Sequence, residues 1–259
     1  MTQATDDGAD EPVPESESGV SEDPRLTEAR RRVESLPEDG SVHVVFQPIV
    51  DLATTKVIGY EALARFAGDS GLSPRTWFAE AAEVGLLLEI EMLTIRAALD
   101  QLRHLPPDAF VSLNLSPLTA GSEELRDALA GVDGSRVVLE INEGAAAEGY
   151  EQVSEAVGAL RSIGVRIALD DSGTGSASFS SLLDVRADII KIDVDITRGV
   201  ASDPMKEAIA SALKSLADRL GAMLLAEGIE TEEDLIFLKE LGVQAGQGFL
   251  FGHPEPVAE

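Results

Sequence analysis

The sequence predicts an α/β fold: a TIM-like (β/α) barrel with one antiparallel strand, preceded by a disordered acidic N-terminal tail. Three observations carry this prediction. Strand-like and helix-like segments alternate from Val42 onward, the signature of a parallel sheet covered by helices. The strand candidates number about eight, which favours closure into a barrel over an open doubly wound sheet. The first two are joined only by "DLATT", a hairpin length too short for a parallel crossover.

The elements follow in order. Residues 1–24, "MTQATDDGADEPVPESESGVSEDP", carry many acids, no bases and almost no large apolar groups. Such a segment cannot bury enough surface to offset its ordering entropy, so it reads as a disordered tail. Residues 25–41 read as a linker or short helix, "RLTEARRRVESLP" being its helical part. The barrel is assigned to residues 42–259. Its strand candidates are "VHVVFQPIV", "KVIGYEALARF", "AFVSLNLS", "RVVLEINE", "VRIALDD", "ADIIKIDVD", "AMLLAEGIE" and "VQAGQGFLF". Between most of them lie runs with apolar residues at three-to-four spacing, such as "TWFAEAAEVGLLLEIEMLTIRAALDQL" and "DPMKEAIASALKSLADRL", which predict helices packed on the sheet. No internal repeat and no second domain is visible.

Composition limits the function. The formal net charge is −27, from 47 acidic and 20 basic residues. That argues against a surface for duplex nucleic acid, which needs clustered Lys and Arg, and the plain reading of the charge is solubility. Aromatic residues are only 4%, too few for a base-stacking platform along a single strand. No apolar run is long enough to span a bilayer and no signal peptide is evident, so no membrane association and a cytoplasmic location are expected. The absence of cysteine excludes disulfides, thiol catalysis and thiolate metal sites.

The ends of the strand candidates are polar. Glu61 follows "VIGY", Asn114 lies near the end of "VSLNL", and Glu140 ends "VVLE" with Glu143 close behind. Asp170 and Asp171 end "RIAL", Lys191 follows "ADII", Glu227 ends "MLLAE" and Gln247 ends "VQAGQ". In a parallel barrel the carboxyl ends of the strands surround one mouth, so these groups are expected to converge. Each acid alone reads more simply as a helix cap or a solvated loop residue. Together they would repel strongly and raise one another's pKa values unless cations held them. One lysine is too little, and divalent ions are the economical solution. With oxygen donors only, and His43, His104 and His253 as the sole histidines, Mg²⁺ or Mn²⁺ suits the set better than Zn²⁺ or copper. Two such ions are a known device for phosphodiester hydrolysis. "DSGTGS" matches neither phosphate-loop nor dinucleotide-binding glycine spacing, and there is no nucleophile elbow.

These motifs resemble the EAL domain, the cyclic di-GMP phosphodiesterase family. "YEALARF" carries the signature Glu61-Ala62-Leu63, and "FQPIV", "SPRTWFAEAAEVGLL", "VSLNLSP", "LEINE", "LDDSGTG", "IIKID", "AEGIET" and "QGFLFGHPEP" follow in the family's order. The resemblance covers about residues 42–257. It implies a TIM-like barrel whose mouth holds two Mg²⁺ or Mn²⁺ ions and which opens cyclic di-GMP to linear pGpG. By motif, Glu61, Asn114, Glu140 and Asp170 would hold the first metal. Asp170 would bridge to the second, which Asp171 also binds, and Glu227 would hold the metals or their water and stand as candidate base. Lys191 would position the attacking water. Gln47, Arg65 and Gln247 would contact substrate, with Arg65 on a phosphate. Glu143 would brace the loop after Asp171, which in the family lies at a homodimer contact.

Two departures stand out. Ser172 replaces the usual Phe of D-D-F-G-T-G, and Asn142 replaces a frequent Thr. The first removes an apolar anchor from the loop that Glu143 braces, and predicts weaker metal affinity or dimerisation without loss of a ligand. The rival reading is a catalytically weak or inactive cyclic di-GMP receptor that signals through a protein partner. No sensor segment is visible in the chain, so regulation is expected from the tail, from oligomerisation or from a separate protein.

Overall fold

The structure, a computed structural model, describes residues 23–39, 42–66, 71–142, 150–172 and 186–257; the side chains of 37–39, 142, 150–155, 171 and 172 also lie outside the described set. The acidic tail, Glu143 and the glycine turn after Ser172 fall outside these ranges. Eight strands close into a barrel in chain order: β1 (Val42–Asp51), β2 (Val57–Phe66), β3 (Phe110–Leu115), β4 (Val137–Asn142), β5 (Arg166–Ser172), β6 (Ile189–Ile192), β7 (Met223–Ala226) and β8 (Ala245–Gly246). The described α-helices are α1 (Pro24–Asp39), α2 (Pro74–Glu83), α3 (Leu87–Gln101), α4 (Pro117–Ala120), α5 (Glu123–Leu129), α6 (Tyr150–Ser162), α7 (Val194–Thr197), α8 (Pro204–Leu220) and α9 (Glu232–Leu241). None is long and apolar enough to cross a membrane.

The antiparallel strand is β1. It pairs antiparallel with β2 and with β8, and every other pairing is parallel. The turn into β2 is local chemistry: the Asp51 carboxylate accepts from the Thr54 amide at 2.7 Å and its hydroxyl at 2.6 Å, an Asx-type turn that fixes the hairpin. The long helical run after β2 divides into α2 and α3 at Gly85, whose φ of +75° suits glycine and stops the first helix. Three strands are markedly shorter than the sequence suggests: β7 ends at Ala226, ahead of Glu227 and the Gly228 turn, and two others are cut by local hydrogen bonding. β6 stops at Ile192 because the Asp193 carboxylate caps α7 through the Asp195 amide. β8 stops at Gly246 because residues 248–252 turn, with the Phe251 and Gly252 amides bonded to the Gly248 carbonyl.

Side chains alternate along a strand with period two, and the barrel interior is built from this. Its lower layer is apolar: Ile49, Phe110, Val138, Ala168, Ile189, Leu225 and Ala245 pack into one cluster. Larger apolar clusters lie outside the sheet, one under α3, α5 and α6 and another under α8 and α9. A fourth unites Val33 and Leu36 of α1 with Trp77, Ala81 and Ile90 of α2 and α3. The Trp77 ring stacks on Phe66 at 5.0 Å, and Arg32 of α1 reaches Glu80 of α2 at 2.6 Å.

Candidate active site

The layer above the apolar plug follows from the same period. Two residues on from Phe110, Val138, Ala168, Ile189, Leu225 and Ala245 stand Ser112, Glu140, Asp170, Lys191, Glu227 and Gln247. On β1, which runs the other way, the step is backwards, from Ile49 to Gln47. Glu61 of β2 sits between them in register, opposite Gln47 on one side and Ser112 on the other. Asn114 is one step higher, opposite Glu140. All eight strands or their immediate extensions thus place polar groups in one ring at the carboxyl end of the parallel strands.

Lys191 is the centre of that ring. Its side chain is 1% exposed, and its ammonium lies 2.6 Å from Glu140 Oε2, 2.6 Å from Glu227 Oε1, 3.3 Å from Asp170 Oδ1 and 3.9 Å from Glu61 Oε1. Glu61 accepts from Asn114 at 2.9 Å and from Gln247 at 2.6 Å. Gln247 also approaches Gln47 at 3.4 Å, and Gln47 donates to the Gly252 carbonyl at 3.1 Å. Ser112 donates a short hydrogen bond to Glu140. Asp170 Oδ1 and Gln247 Oε1 are buried without a hydrogen bond among the described residues.

Four carboxylates around one ammonium leave the cluster short of positive charge, and the protonation equilibria show it. Burial pushes Glu140 up to about 7, with Lys191 opposing and Glu61 and Asp170 adding to the rise. Burial likewise pushes Glu227 up to about 8, against Lys191 and with its acidic neighbours. Burial works against the Lys191 charge, but Glu140, Glu227, Glu61 and Asp170 together hold its pKa well above the ordinary lysine value. Gly228 lets the chain turn directly after Glu227. Its φ is +65°, and a Cβ there would lie 2.3 Å from Val194 Cγ2.

The structure therefore brings together Gln47, Glu61, Asn114, Glu140, Asp170, Lys191, Glu227 and Gln247. Arg65 stands on the wall of an adjoining cleft, one guanidinium nitrogen donating to the Ala64 carbonyl at 2.8 Å. Asp171 lies in β5 with its side chain outside the described set, and Glu143 lies outside it altogether. The donors are oxygens only, yet among the described residues no three acids close on one point as metal ligands would; they turn onto Lys191 instead.

Two further polar groups border the site. Ser112 lies inside a buried strand, and its signal was the two-residue spacing to Asn114. Glu91 lies on the buried face of α3, where its carboxylate accepts from the Ser116 amide at 2.9 Å and the Ser116 hydroxyl at 2.8 Å. Its signal was an acid on the apolar stripe of a helix. Burial raises its pKa, partly offset by hydrogen bonds from Thr119 and Ser116.

Comparison with known proteins agrees with this architecture. The EAL domain profile matches residues 29–254. The probable cyclic di-GMP phosphodiesterase PdeB of Escherichia coli is 31% identical over 245 residues, which are 90% of this chain and 46% of that protein. Among solved structures, the PaMucR phosphodiesterase in complex with c-di-GMP superposes with a TM-score of 0.80 at 29% identity, over 88% of this chain and 98% of that one. The manganese and cy-diGMP complex of Klebsiella pneumoniae BlrP1 superposes with a TM-score of 0.74 at 29% identity, over 83% of this chain and 56% of that one. The chain spans less than half the length of the curated relatives it matches. With the profile covering most of its length and the barrel closing in the same way, the chain belongs to the EAL domain family.

Proposed function

We propose that the chain is a metal-dependent phosphodiesterase that hydrolyses cyclic di-GMP to linear pGpG. The observation that carries this reading is the ring of Glu61, Asn114, Glu140, Asp170 and Glu227 around Lys191, an oxygen-only donor set with excess negative charge. The donor chemistry fits two hard divalent ions, Mg²⁺ or Mn²⁺, and the buried Asp170 Oδ1, in an ion pair with Lys191 at 3.3 Å but without a hydrogen bond among the described residues, supplies an acceptor with spare capacity. Glu61, Asn114, Glu140 and Asp170 would hold one ion, and Asp170, Asp171 and Glu227 the other. Bound there, the ions would supply an activated water and neutralise charge on the scissile phosphate.

The chain's own groups do the rest. Glu227, at the end of β7 and 2.6 Å from the Lys191 ammonium, is the general-base candidate once bound ions have displaced its proton. The Lys191 ammonium, held charged by its acidic neighbours, orients the attacking water. Gln247 and Gln47 are fixed by each other and by Glu61 and the Gly252 carbonyl, so their amides meet substrate in a set orientation. Arg65 offers its remaining guanidinium donors to a phosphate. Glu143 is assigned the bracing of the loop after Asp171.

The test is chromatography of products from cyclic di-GMP with Mg²⁺ or Mn²⁺, beside equilibrium binding in Ca²⁺. Linear pGpG that forms with metal and not with chelator is the expected result. Glu61→Ala is expected to keep the fold and lower turnover by more than about 100-fold, since it removes a direct metal donor rather than an outer-shell partner. Near-normal turnover in that variant defeats the assignment. Binding without turnover in the unaltered chain selects a dinucleotide receptor, the rival reading that Ser172 keeps open.

A further inference from the structure

The cleft beside the polar ring extends well past the acids. It encloses about 710 Å³ and is lined both by Asn114, Glu140 and Asp170 of the strands and by Pro74, Arg75 and Phe78 of α2. A volume of this size accommodates a ligand larger than a single phosphate group. Arg75 is exposed on this wall and has no hydrogen-bond or ion-pair partner among the described residues. That is unusual company for a guanidinium in a chain with 47 acidic and 20 basic residues. Beside it, Phe78 is held in place: its ring meets Phe66 edge-on at 5.7 Å, and Phe66 is itself stacked on Trp77. The α2 wall thus offers a fixed aromatic ring and a free, planar, two-pronged donor.

Resting on the phosphodiesterase reading, we propose that Arg75 is a specificity-determining residue whose guanidinium reads the O6 and N7 edge of one guanine of the cyclic dinucleotide, with the base lying against Phe78. The chemistry of the wall favours a base over a phosphate. Val44, Phe78 and Ile95 give it apolar surface, which suits a flat ring and leaves a phosphate poorly solvated. Guanine presents two acceptors at the spacing of the guanidinium fork, whereas adenine places an amino donor where O6 would be. Arg75 therefore gains with guanine and meets donor against donor with adenine.

Titration calorimetry in Ca²⁺, with cyclic di-GMP and cyclic di-AMP as separate ligands, tests this on the full chain. The unaltered chain is expected to prefer cyclic di-GMP. Arg75→Ala is expected to lower cyclic di-GMP affinity by roughly tenfold or more while moving cyclic di-AMP little, so the preference shrinks. Arg75→Lys, which keeps the charge and loses the fork, is expected to show the same shrunken preference. An equal loss for both ligands, or full recovery with lysine, would mean that Arg75 senses charge alone and would overturn the proposal. An unaltered preference in Arg75→Ala would do the same. If the unaltered chain binds neither ligand, the phosphodiesterase reading itself fails, and this proposal falls with it.

Discussion

Glu140 and Glu227 each approach the Lys191 ammonium at 2.6 Å, and this crowding makes protons part of the site's chemistry. Both carboxyls have folded-state pKa values, about 7 and about 8, above the ordinary 4.5. A raised carboxyl binds more protons folded than unfolded, so stability falls as pH climbs from about 4.5 through 8. We predict that the metal-free protein melts at progressively lower temperature between pH 5 and 8, and that Glu227→Gln flattens this slope. Divalent ions would displace the same protons, so Mn²⁺ binding at pH 7 is expected to release protons, seen as calorimetric heats that differ between buffers of different ionisation enthalpy. Heats that ignore the buffer would contradict it. These residues were legible in the sequence only as a set: each alone reads as a cap or loop acid, but all of them close apolar runs that a barrel brings to one mouth. Ser112 and Glu91 escaped because they interrupt a strand and a helix from within, and a single polar residue there is usually only a satisfied core group. The side chain of Asp171, and Glu143, lie outside the described residues, so their roles remain part of the proposed function.

At the scale of elements, α1 is the piece whose position sequence alone left open, since periodicity can suggest a helix without saying what it packs against. Ala29, Val33 and Leu36 are buried, and the contact with α2 is reinforced by Arg32 on Glu80 and by Arg30 donating to the Val84 carbonyl at 2.7 Å. These polar contacts at the edge of the interface add little beside burial; the apolar face supplies most of the adhesion. Leu36→Ala is expected to lower unfolding free energy by about 2–4 kcal/mol, read from the urea midpoint. A loss under about 0.5 kcal/mol would show that α1 is not part of the cooperative core. The lengths of β6 and β8 were overestimated for a related reason. "KIDVD" and "GQGFLF" are rich in strand formers, but the Asp193 cap and the turn at residues 248–252 are side-chain and backbone hydrogen bonds that propensity does not see.

For the whole molecule, the barrel was readable because eight alternating segments and one short link leave few alternatives, and the short link alone required β1 to run against its neighbours. Net charge acts at this scale too. An anionic dinucleotide approaching a chain of charge −27 is repelled at long range, and salt screens that repulsion. Association with cyclic di-GMP at fixed Ca²⁺ is therefore expected to quicken, not slow, as NaCl rises from about 20 to 200 mM, a range over which the screening length shortens severalfold. Stopped-flow rates that fall with salt would instead reveal a dominant local cationic funnel. The reversed β1 has a further consequence. Val42 pairs with Phe66 at the upper end of β2, so the polypeptide enters the barrel on the rim where substrate arrives. α1, which precedes Val42, packs beside that same rim, in the cluster that Val42 and Phe66 join. A bulky group attached to α1 itself should therefore crowd the mouth, and the opposite rim is the quieter place to attach a label.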